Sequence, residues 1–428
     1  MSTIEGNDRS GGFGRVAVTI AKFPRLVKEV FKELTEKDTA LTIPRLDADL
    51  SEFTKVNSSI DNNIDGLLMR LDNNELSNAL GWRIVVGVFE IDGQLKNAAL
   101  ALSPNFEVSN IWILDEGEIS GEEPRDPFKK FIHGFAILKD GSVIFSYDGG
   151  VSLQRIDQCG SRIWAIAGHF SHSVSLDSNE EFIWTILDSK ENDYETRLVK
   201  VAADSGEIVK VISMEDIITA NPLIDILEIR KQDYNDSSGN SRNTDESWLH
   251  DPYHLNDVEP LPKNLVSSFE GFKEGDLLVS SRSLNLIFVI DPESLQIKWW
   301  LYGATRRQHD PDWGAKGEFI VYDNRMGRDY SQIVSISPKS YKAEVFFDGR
   351  ANNFYSRIRG KQQIAKTGNL LVTSPQQGRF FEVNTDGKVV LELINTVPES
   401  ERLNYVISEV IWLPKNTFSY PLEGLCVN

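Results

Sequence analysis

A chain of 428 residues with 40% hydrophobic and 10% aromatic content can bury a full-sized core, and ring folds reach this length as one domain. Its formal charge of −19 excludes a general affinity for DNA or RNA, which needs a basic stripe. It leaves room for a small anion held by a few local arginines and histidines. No apolar run is long enough to cross a membrane as a helix.

The opening stretch, MSTIEGNDRSGGFG, lacks the apolar core of a signal peptide. The expected location is therefore the cytoplasm, or the periplasm if the N-terminus is incomplete. Residues 1–22 read as disordered or extended. From Phe23, the residues Leu26, Val27, Val30, Phe31 and Leu34 recur at helical spacing with lysines and glutamates between them. This predicts an amphipathic helix over 23–37 that packs on the outside of the domain; docking to a protein or a membrane surface is the alternative. Residues 38–80 form a lead-in expected to pack on the domain that follows.

Beyond residue 80 the helical period gives way to short strands punctuated by turns. Ten residues after His133 begins Val143-Ile144-Phe145, ten after His172 begins Phe182-Ile183-Trp184, and ten after His309 begins Phe319-Ile320-Val321. In a further unit, before KTGNLLVTS, the equivalent position is Gly360. Each unit runs on through a second turn to another strand, as in IDPESLQIKWW (290–300), ISPKSYKAEVFF (336–347) and VNTDGKVVLEL (383–393); LSPNFEVSNIWIL (102–114) belongs to the same series. Six units result, the first starting near Gly81-Trp82-Arg83. Repeated hairpins cannot bury their faces alone and must stack on neighbours. A ring of four-stranded sheets satisfies them. The predicted fold is all-β: a six-bladed β-propeller over 81–428, with the short amphipathic helix before it. The polar stretch 231–252 is expected to be a long mobile loop.

Six histidines occur, and His133, His172 and His309 share one phase of the repeat. His254 opens the unit between those of His172 and His309, its hairpin lengthened by an insertion. The first strand of each blade lines the channel, so residues at its start meet at one channel mouth. Arg282 ends the second strand of its hairpin, and antiparallel pairing returns that end to the same mouth. A guanidinium among imidazoles is suited to a sulfate or phosphate. A metal site is the rival, with Asp310 and Asp312 beside His309 as further ligands, but the spacing of three between His169 and His172 supports it only weakly. Strand-end capping is the bland reading of any single histidine. Hydrolase, nucleotide and zinc-protease motifs do not occur. Cys159 and Cys426 are the two cysteines; a disulfide closing the ring and two reduced thiols fit equally well.

At these residues the chain resembles the arylsulfotransferase family over about 130–395. The resemblance rests on HLNDVEPLP (254–262), GDLLVSSRSLNLIFVIDPESLQIKWW (275–300), RQHDPDWGAKGEFIVYDNR (307–325) and TGNLLVTSPQQGRFFEVNTDGKVVLEL (367–393). It implies a six-bladed propeller that moves a sulfuryl group from an aryl sulfate to a phenol, with no cofactor. Matched by motif, His309 would be the nucleophile, sulfated in passing. His172 and His254 would handle protons and charge, and Arg282 would hold sulfate oxygens. His133 has no counterpart in that pattern. Asp310 either orients His309 or binds a backbone amide. The alternative function is a non-catalytic propeller that binds an anionic ligand or a protein.

Overall fold

The computed structural model describes residues 41–45, 49–72, 81–117, 131–188, 196–227, 252–419 and 421–422. Their strands form six blades. Blade 2 consists of 132–137, 143–147, 152–156 and 162–167, and blade 3 of 169–176, 182–188, 197–202 and 208–213. Blade 4 is 255–260, 277–281, 286–290 and 297–302; blade 5 is 309–313, 319–323, 332–336 and 343–348. Blade 6 takes 361–364, 370–374, 379–383 and 389–395.

Blade 1 differs in one respect from the sequence expectation. The strand that starts at Gly81 is its second strand, and the inner position is filled by 407–414 from the far end of the chain. Ring closure is therefore a ladder of hydrogen bonds between the two ends of the repeat. A buried ion pair reinforces it: Arg83 of blade 1 donates to Glu382 of blade 6 at 2.8 Å, both side chains being fully buried. Glu382 also accepts from Asn369 Nδ2 at 2.7 Å, and Arg83 donates to the Gly81 carbonyl at 3.0 Å.

The second strands read as unbroken apolar runs because neighbouring blades cover both of their faces. Leu277–Ser281, Phe319–Asp323 and Leu370–Ser374 are buried at every position. Outer strands are exposed instead, as in Ala343–Asp348. The turns between third and fourth strands are closed by side chains: Asp157 Oδ1 accepts from the amides of Cys159 and Ser161, and Asn384 Oδ1 from those of Asp386 and Lys388. Cys159 is held in a disulfide.

In the lead-in, Thr54–Lys55 and Leu67–Leu71 extend the outer edge of blade 6. Ile64–Asp65 pairs with Glu90–Ile91 of blade 1, and Thr42–Pro44 with Leu403–Tyr405. The expected helix 23–37, residues 231–251 of the expected long loop and Cys426 lie outside the described residues. One short helix was not foreseen, Met214–Ala220, started by a reciprocal Ser213–Asp216 capping box.

Removing one partner of the closure pair leaves the other as an uncompensated buried charge. Glu382→Ala should therefore cost about 3–5 kcal/mol, read as a lower denaturant midpoint; a loss below about 1 kcal/mol, the scale of an exposed pair, would refute its place in closure.

Candidate active site

The inner strands converge on the channel, and five of the six carry a register break close to the same mouth. The breaks fall between Ile132 and Gly134, Ser171 and Val174, Leu255 and Asp257, His309 and Asp312, and Ile407 and Glu409. A bulge swings its extra residue out of the alternating pattern. His133, His172, Asn256, Asp310 and Ser408 occupy these bulges and line one cavity. His172 and Asp310 reach it with φ of 67° and 50°, backbone that side chains other than glycine adopt at a cost.

Four histidines meet here. His133 and His172 have ring centroids 4.2 Å apart, and His172 Nε2 lies 3.1 Å from His254 Nε2. His254 adjoins Arg282, whose backbone N–H donates to the His254 carbonyl at 3.0 Å. His309 lines the same cavity. Burial, then the charge of Arg282, holds its pKa well below the usual imidazole value. His133 and His172 are also pushed well down, first by burial and then by the neighbours that would repel a second charge, Arg359 for His133 and the His133 ring for His172. All three are neutral at pH 7. His169 stands apart, bonded through Nδ1 to the Gly150 carbonyl at 2.9 Å; His250 lies outside the described residues.

Hydrogen bonds fix the tautomers. Asn324 Nδ2 donates to the carbonyls of Ser356 and Arg359, so its Oδ1 can only accept. His309 Nδ1, 2.7 Å from that oxygen, must carry the proton. The lone pair of Nε2 is left toward the cavity, where it accepts the Arg359 backbone N–H at 3.2 Å. Ser171 gives its hydroxyl proton to Asp188 at 2.9 Å, so it accepts from His172 Nδ1. His172 Nε2 then accepts in turn, and His254 Nε2 donates to it. From His254 through His172 and Ser171 to Asp188 the hydrogen bonds thus all run in one direction.

Sequence reasoning missed Asn324 and Arg359. Asn324 stood inside the segment that ends YDNR without a role, and Arg359 precedes Gly360, the phase-equivalent position of blade 6. A Cβ on Gly360 would sit 2.3 Å from the Tyr322 ring. Its absence lets Arg359 approach His309. The Arg359 guanidinium covers the Phe131 ring at 3.4 Å and lies 3.8 Å from Asp148; burial pushes its pKa down to about 10, so it remains a cation. Asp310 does not orient His309. It accepts from Lys361 at 2.7 Å and from the Gln362 backbone N–H at 2.6 Å.

Below the histidines, Asp257, Glu259, Asp310, Asp312 and Glu409 surround Lys361. So many carboxylates would repel an anion if all were ionised. Burial prevents this: it pushes Asp257 and Glu409 up to about 7, and Glu259 and Asp312 well above their normal range. Burial also opposes the charge on Lys361, but Asp310 and Asp257 raise its pKa well above normal.

The folded chain holds the protons of Asp257 and Glu409 where an unfolded chain, with pKa values near 4, has released them. Stability should therefore fall as the pH rises through about 7. Asp257→Asn combined with Glu409→Gln should flatten that decline in melting temperature between pH 6 and 9. An unchanged slope would contradict the protonated cluster.

The sequence profile of the family described as arylsulfotransferase (ASST) matches residues 134–396. A search of curated proteins returned no match. Among solved structures, a protein of unknown function from Bacteroides caccae is 14% identical, with 77% of this chain and 98% of that chain covered and a TM-score of 0.48. Virginiamycin B lyase from Staphylococcus aureus is 10% identical over 70% of this chain and 88% of that chain, TM-score 0.38. The Dos1 propeller is 12% identical over 72% and 71%, TM-score 0.39. The family match spans more than half of the chain and supports sulfotransferase-type activity in general. This six-bladed propeller belongs to the arylsulfotransferase family.

Proposed function

We propose that the protein moves a sulfuryl group from an aryl sulfate to a phenol through a sulfated His309. The observation that carries this reading is the wiring of His309: Nδ1–H is anchored on Asn324, and a neutral Nε2 lone pair faces the cavity. An imidazole so held is a nucleophile without needing a base.

In the first half-reaction the Nε2 lone pair attacks sulfur and the S–O bond to the aryl group breaks, its electrons leaving on the phenolate. The Arg359 N–H that caps Nε2 must let go for this step. Asn324 Oδ1 stabilises the positive charge that develops on the ring. Arg282 pairs with sulfuryl oxygens as the transition state forms. The His172–His254 pair, having taken one proton from solvent, passes it to the phenolate to give phenol and returns to its neutral state. In the second half-reaction an acceptor phenol returns that proton to the pair, attacks sulfur and breaks the S–N bond, restoring Nε2. The donor brings the activated group, so the scheme needs no cofactor. The protons held by Glu259 and Asp312 lessen the repulsion of the substrate by the floor of the site.

Purified protein with a chromogenic aryl sulfate and a phenol acceptor tests the scheme. His309→Ala should abolish transfer. It strands the Asn324 acceptor at a cost of about 1–3 kcal/mol, so the variant should stay folded with a lowered melting temperature. His172→Ala or His254→Ala should slow transfer by about 10²–10⁴-fold, and Arg282→Ala by about 10²–10³-fold. Wild-type protein that turns over no donor in a panel of aryl sulfates would favour a binding propeller instead. Full activity in His309→Ala would remove the nucleophile.

A further inference from the structure

The loops around the histidine mouth in blades 4 to 6 carry a charge opposite to that of the whole chain. The stretches 282–285, 303–308, 324–331 and 349–360 contain eight arginines and one acidic residue, Asp329, in a chain of formal charge −19. All four lie at the end of the blades where the inner strands begin, because they are turns from second to third strands or crossings from one blade to the next.

Contacts join them into one arc. Arg307 Nη1 donates to Ser283 Oγ at 3.3 Å, beside Arg282. The Arg325 backbone N–H donates to the Arg306 carbonyl at 3.0 Å, and the Arg306 guanidinium lies against Gly327. Arg325 and Arg350 flank one ring, Tyr330, at 4.6 and 5.1 Å. The same crossing then continues to Arg357 and to Arg359, which lines the histidine cavity.

Some of this charge is spent within the protein. Arg350 pairs with Asp348, Arg325 lies 3.8 Å from Asp323, and Arg359 lies 3.8 Å from Asp148. Arg306, Arg328 and Arg357 are exposed and have no carboxylate partner among the described residues. Like charges gathered without counterions destabilise a fold unless something else uses them.

We propose that the substrate carries a second anionic group, away from the transferred sulfuryl group, and that this arginine arc binds it. The proposal rests on reading the histidine cavity as the sulfuryl site. A sulfate, phosphate or carboxylate offers the paired oxygens that a guanidinium fork grips. Both ends of such a substrate would then be held, the reacting end among the histidines and the far end on the rim.

The test measures binding separately from turnover, by calorimetry with the full chain and with the His309→Ala variant, which cannot transfer. The ligands are phenyl and biphenyl sulfates whose para position carries methoxy, carboxylate, phosphate or a second sulfate. At low salt at least one dianion should bind about tenfold more tightly than its methoxy control, about 1.4 kcal/mol. The advantage should shrink at higher salt and disappear in Arg306→Gln/Arg328→Gln/Arg357→Gln, while the methoxy control keeps its affinity in that variant. The arms identify which second anion is preferred. Equal affinities across both series, no binding at all, or a preference that survives in the triple variant would each overturn the proposal. A preference in protein that never transfers sulfate would leave the charge recognition standing and refute the reaction instead.

Discussion

Six strands that run side by side around one axis bring their inward side chains closer together than the walls of any open cleft could. Polar groups sent into such a channel have little water to pair with and must satisfy one another. Most features of this protein follow from that crowding. Glu259 and Asp312 hold protons because the channel cannot accommodate their charge, Asp257 and Glu409 are pushed up to about 7 for the same reason, and Lys361 stays charged because Asp310 faces it. The ring must also stay shut for the crowding to exist. That task falls to the inner strand 407–414 and to the buried Arg83–Glu382 pair between blades 1 and 6.

The same crowding keeps His133, His172 and His309 neutral. An exposed imidazole near its normal pKa would be partly protonated at pH 7, and a protonated His309 has no lone pair to offer. Burial beside Arg282 removes the proton from Nε2, while Asn324 keeps the other one on Nδ1. Bulges at the mouth supply the geometry. Without them, alternation along each inner strand would aim His172 and Asp310 elsewhere, and the cavity would lose residues from several blades at once.

Much of this could be read from the sequence because the propeller is periodic. His133, His172 and His309 stood at one phase, and phase becomes position once the blades close into a ring. Arg282 followed from antiparallel pairing, and its amide does bond the His254 carbonyl. What the period could not show were contacts between blades. Asn324 acts on a histidine fifteen residues earlier within its own hairpin, but its orientation is set by Ser356 and Arg359 of the next crossing. The inner strand of blade 1 was hidden for a similar reason: the unit that starts at Gly81 is completed from more than three hundred residues away. Adjacency in sequence left two roles open for Asp310, orienting His309 or binding a backbone amide; the bulge turns it toward Lys361 and the Gln362 amide, which selects the second.

The central claim is that His309 Nε2 becomes covalently sulfated, and it is tested most directly by intact-mass measurement of protein mixed with an aryl sulfate in the absence of any phenol acceptor. The account predicts a stoichiometric gain of one SO₃ unit, mapped by peptide analysis to His309, lost in acid and discharged when a phenol is added. A protein that turns over the donor but never gains mass, or gains it on another residue, would contradict it.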